Sequence, residues 1–208
     1  HRFPAYHWWR WATWASLNSW IVYSYTDPWY YDYNYNVIFE DDAVFINEDP
    51  VAMADDYIVM GEEIAEVPEL AEDAEVEWLP LGVFAISTSE NDRTPQMTLQ
   101  LVMSKDGRLG GTYYHWETQS MREVHGSVDE KTQRVAFRIG EGNDNVVEVG
   151  LPGLSADEAP MWVHFGGSKT QTWTLIRLEP PPSVQRELEK EGGADPAGDA
   201  DAKGDTPG

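Results

Sequence analysis

Between Leu81 and Leu178 the sequence reads as a run of short strands with turn residues between them, and the alternation of apolar residues within several of them leaves few folds open. In Thr98–Ser104, Leu99, Leu101 and Met103 fall on alternate positions, which an extended backbone places on one face. Lys105-Asp106-Gly107 follows as a turn, where Gly takes positive φ at no steric cost. Leu109–Trp116 is rich in β formers after its glycines. Val124, Gly126 and Val128 alternate, Asp129-Glu130-Lys131 turns, and Val135, Phe137 and Ile139 alternate again. Further strands are expected over 81–88, 145–150, 160–166 and 171–178. Short strands at even spacing predict a mainly β fold, an antiparallel meander or barrel of about eight strands over 81–178. That number closes into a small barrel, filled by side chains or holding one small ligand.

Ahead of the β domain (78–179) the sequence predicts an aromatic helix, a β-hairpin and one acidic helix. Residues 1–36 form a Trp/Tyr-rich segment with Trp8, Trp9, Trp11, Trp14, Trp20 and Trp29, followed by Tyr30 and Tyr31. A helix over 8–21 would align Trp8, Trp11 and Trp14, with Leu17 and Ile21 continuing the stripe. So much aromatic surface marks an interface, either with the chain's own β domain or with a partner. Tyr30–Tyr35 reads as extended. Residues 37–68 form a hairpin-helix unit, with Asp41-Asp42 at the hairpin turn and an acidic helix over 52–66 that Pro68 ends. Residues 69–77 read as an acidic linker. Residues 180–208 read as a Pro-rich and acidic low-complexity tail, with a short helix over 183–191.

Charge and composition exclude some roles. Asp and Glu number 37 against 14 Lys and Arg, a formal net charge of -23, which repels phosphate backbones. Nucleic acid is therefore not an expected partner. The same charge would suit divalent cations, but neither 69–77 nor the tail has the ligand spacing of a defined Ca²⁺ loop. With no Cys, disulfides and thiolate metal sites are excluded. No apolar run reaches the length of a membrane span. No cofactor is expected.

Several stretches together resemble a known family: Trp14–Trp20, Val37–Ala65, Glu77–Ala85, Gly126–Arg134, Ala159-Pro160 with Val163–Phe165, and Gln171–Arg177. They are similar to planctomycete mu-protocadherin-like cell-surface proteins, over nearly the whole chain up to Glu179. The resemblance implies export and a place at or beyond the cell envelope, with a signal peptide already removed ahead of His1. It implies no activity. Leu99–Tyr113, the Gly126 strand and Thr172–Arg177 also resemble strands of avidin-like barrels. The biotin site of that family does not carry over, because the last strand here runs into Pro180 in place of an Asp.

Catalytic signatures are missing: no Gly-x-Ser-x-Gly, no His-Glu-x-x-His and no phosphate loop. A copper site on the amino terminus and ring of His1 would require His1 to be the mature terminus. His115 and His125 would face each other if their strands were adjacent and in register. The leading expectation is an extracytoplasmic structural or interaction protein, docking to a partner or to itself through residues 1–36. The alternative is a small-ligand or carbohydrate-binding barrel whose mouth uses Tyr113, Tyr114, Trp116, Trp162 and Trp173.

Overall fold

The computed structural model describes residues 5–67, 75–89, 96–142, 144–166 and 169–192. Eight antiparallel strands close into an up-and-down barrel in which every strand pairs with its sequence neighbours. They are β4 (Trp78–Ser87), β5 (Met97–Ser104), β6 (Arg108–His115), β7 (Ser120–Val128), β8 (Arg134–Ile139), β9 (Val146–Gly150), β10 (Glu158–Phe165) and β11 (Lys169–Arg177). β11 returns to β4 and closes the ring. The expected barrel over 81–178 is therefore present, with Leu99, Leu101, Met103, Val135, Phe137 and Val149 in its core.

Its turns follow the sequence signals. Gly107 sits at φ +81, and a Cβ there would lie 1.8 Å from the Tyr23 hydroxyl, so only Gly fits. Ahead of the barrel, β1 (Val37–Glu40), β2 (Ala43–Ile46) and β3 (Asp49–Met53) make a three-stranded sheet rather than a lone hairpin. Asp41-Asp42 and Asn47-Glu48 all have positive φ, the requirement of two-residue hairpin turns. The third strand was obscured by Pro50, which an edge strand tolerates because its missing N–H has no ladder partner to lose. Helix α2 (Ala54–Ala65) follows.

The sheet and α2 cover part of the barrel's outer wall. Trp162 is fully buried there, stacked on Phe39 (4.2 Å between ring centroids) and against Tyr33 (4.5 Å) and Tyr57 (5.9 Å). Beside it lies a buried polar group. The Arg134 guanidinium donates to Glu148 Oε2 from Nε (3.1 Å) and Nη2 (2.8 Å), and to the Tyr57 carbonyl (3.1 Å). His164 Nε2 meets Glu148 Oε1 (3.1 Å), and its Nδ1 meets Thr170 Oγ1 (2.8 Å).

The aromatic segment closes one end of the barrel. The helix expected over 8–21 is instead a 3₁₀ turn at Ala5–Trp9 and a seven-residue helix α1 (Trp14–Trp20). The break comes at Thr13, which is extended and caps α1 by accepting from the Ser16 N–H (3.2 Å). Ala12, Leu17 and Ile21 enter the barrel core. Beyond α1 the chain laces across the strand connections at that end. Val22 N–H donates to the Lys105 carbonyl, Trp29 N–H to Gln133 Oε1, and the Tyr31 hydroxyl to the Thr132 carbonyl. At the chain's other end, α3 (Pro182–Gly192) follows β11. Residues 69–74, the tail from 193 and His1 with its copper possibility lie outside the described residues.

Candidate functional site

The end of the barrel opposite α1 holds a cavity of about 320 Å³, inside the range of small-molecule pockets. Its lining divides into two walls. On one side stand Ile86, Met97, Val147, Val163, Phe165 and Trp173 from β4, β5, β9, β10 and β11. On the other stand Tyr113, His115, Thr118, Ser120 and Arg122 from β6, β7 and the turn between them, with Ile139 of β8 and Asn145 ahead of β9, so that this wall is mostly but not wholly polar. Strand parity explains the division. Positions 120, 122 and 124 of β7 share the inward phase, and β6 places 113 and 115 beside them through the pairs Tyr113–Arg122 and His115–Ser120.

Local contacts fix this lining. Phe165 and Trp173 meet edge to face at 5.8 Å. Trp173 Nε1 donates to Gln171 Oε1 (3.2 Å). Thr118 N–H donates to His115 Nδ1 (3.4 Å), which leaves the proton of a neutral ring on Nε2. Burial pushes the Tyr113 phenol above its usual range, and the Arg122 guanidinium beside it pulls part of the way back. At neutral pH Tyr113 is thus an uncharged donor. Among the described residues the lining holds one guanidinium, Arg122, and no carboxylate. In a chain of net charge -23 this is a local exception.

Of the five aromatics expected at the mouth, Tyr113 and Trp173 are there. The other three are not among its lining. Trp162 is on the outer wall beneath β1 and α2. Tyr114 is one residue out of phase and packs on the exposed Trp116 (4.7 Å), outside the lining. His115 and His125 do not face each other: His115 pairs with Ser120, while His125 is opposite Gly110.

The eight aromatics expected at an interface are spread unevenly. Trp8 and Trp9 are half-buried in the 3₁₀ turn. Trp14 stacks on Tyr25 (6.5 Å), and Trp20 donates to the Met103 carbonyl (3.0 Å). Tyr31 is buried. Trp11, Trp29 and Tyr30 remain exposed, at 50%, 45% and 61%.

Thr170, His164 and Glu148 have the connectivity of a nucleophile, base and acid. Their setting argues for a structural role. Glu148 is fully buried and held by Arg134, and Thr170 does not line the mouth cavity. Among the described residues no group of three His, Asp or Glu side chains is placed to hold a metal ion. No described helix is long and apolar enough to cross a membrane. Compared with protein-family models, curated proteins and solved structures, the chain matches none.

Proposed function

We propose that the chain binds a small molecule in the mouth of its barrel. The observation that carries this reading is the cavity of about 320 Å³, floored by a filled core and faced by one apolar and one polar wall. Such a mouth pairs desolvation of an apolar body with a few orienting polar groups. The resemblance to exported cell-surface proteins supports placing this binding outside the cytoplasm.

Calorimetric titration with 2-naphthalenemethanol, an uncharged two-ring probe, tests the proposal. About −0.5 kcal/mol for each of about twelve heavy atoms gives a Kd on the order of 10–100 µM. Ser120→Trp, an inward position on the rim, fills the cavity and abolishes binding without lowering Tm. Equal binding to both proteins would sink the assignment.

A second reading is docking of an extracytoplasmic structural protein through residues 1–36. It is favoured by the exposed Trp11, Trp29 and Tyr30. Against it, the most buried apolar side chains of α1 and its flanks belong to the chain's own core.

A further inference from the structure

We infer that the ligand is a ring-bearing carboxylic acid, bound as its anion with the carboxylate at Arg122 and the ring against Phe165 and Trp173. The inference rests on the mouth being a binding site and adds the chemical class of what it takes.

The volume sets the size of the body. An apolar cavity of about 150 Å³ takes a benzene, so about 320 Å³ suits a body of two fused rings. The apolar wall sets its polarity. Ile86, Met97, Val147, Val163 and Phe165 offer no side-chain donor or strong acceptor. A sugar turned toward that wall would leave hydroxyls unpaired, at a cost that disfavours it. An apolar ring loses nothing there, and the Phe165–Trp173 pair gives it aromatic edges and faces to pack on.

The polar wall sets the charge. Arg122 on β7 pairs in register with Tyr113 on β6, which brings a guanidinium and a neutral phenol to one side of the mouth. Ser120 and Thr118, joined at 2.9 Å, add hydroxyls beside them. A guanidinium fork matches a carboxylate in geometry as well as charge. Among the described residues of the lining, no Asp or Glu competes for it. The rest of the molecule repels anions, so this cation is placed where the overall charge works against it.

The test uses three probes of one shape on the full chain: 2-naphthoate, 2-naphthalenemethanol and 2-naphthylmethylammonium. The expected result is naphthoate binding about tenfold tighter than the neutral probe, the effect of one charge-assisted hydrogen-bonded contact. Arg122→Gln erases that preference, read as the ratio of naphthoate to neutral-probe affinity within the variant, and Arg122→Lys restores part of it. Arg122 is exposed, so neither change threatens folding, which circular dichroism verifies. Equal affinities for naphthoate and the neutral probe overturn the inference and leave the binding reading intact. So does a preference for the ammonium probe, or a naphthoate preference that survives Arg122→Gln. If the wild-type chain binds none of the three, the site reading falls and takes the inference with it.

Discussion

At the scale of single residues the most consequential group is the buried pair Arg134–Glu148. Burial works against the Arg134 charge, and the carboxylate beside it more than restores it. Its neighbours leave no slack. A Cβ on Gly61 of α2 would lie 2.1 Å from Glu148 Oε1, so α2 approaches the barrel wall only because that position is Gly. The guanidinium also stacks on the Tyr57 ring at 3.6 Å. The pair therefore ties strands β8 and β9 to the covering helix. Glu148→Ala leaves an uncompensated buried cation and is expected to cost about 3–5 kcal/mol. Arg134→Met combined with Glu148→Leu is expected to cost less than Glu148→Ala alone, because no buried charge is stranded. Urea midpoints of the single and double variants measure this, and additive losses would mean that the two side chains do not act as a pair.

At the scale of elements the aromatic segment is the barrel's stopper. Leu17 is completely buried, and Ala12 and Ile21 nearly so, all three in the same core cluster as the inward residues of the strands. Deleting residues 1–35 exposes that end of the core. Light scattering and circular dichroism on the shortened chain are expected to show an unfolded or aggregating protein. A stable monomer after deletion, from a full chain that assembles, would instead give the segment to a partner. What the sequence disclosed here was uneven. The period-two runs located the barrel strands because their inward side chains are apolar. The alternation marks strand β7 only from Val124 onward, although the strand begins at Ser120. In its first half the pattern inverts: Ser120 and Arg122 share the inward phase while Met121 is outside and exposed. The polar wall of the cavity carries that inversion, and an alternation of apolar residues cannot register it. Continuing the inward phase of Val124 back by two residues would have singled out Arg122. Trp162 misled for the converse reason. It alternates with Met161 and Val163, but a covering sheet makes the outer wall as apolar as the inner one.

At the scale of the whole molecule, tyrosines join the stopper and the outer layer to the barrel. Burial, with nearby acidic groups adding to it, pushes the Tyr23 phenol up to about 12. Burial brings Tyr31 to about 12 as well, against the pull of Arg134. Tyr25, Tyr33 and Tyr57 are raised too, burial being the largest cause in each. A raised folded value means that the stability these groups contribute is complete below about pH 10, their unfolded value, and is lost as pH rises through about 12. Absorbance of phenolate at 295 nm and loss of β signal are expected to rise together in that window. Full titration near pH 10 with the fold intact would contradict the packing described. The stopper has one more consequence. A barrel shut at one end is a beaker and not a pipe. Whatever enters must leave by the same rim, so two occupants exclude each other and the second waits for the first to depart. Such a vessel can hold, hand over or withhold its content, and the pace of each is set at a single doorway.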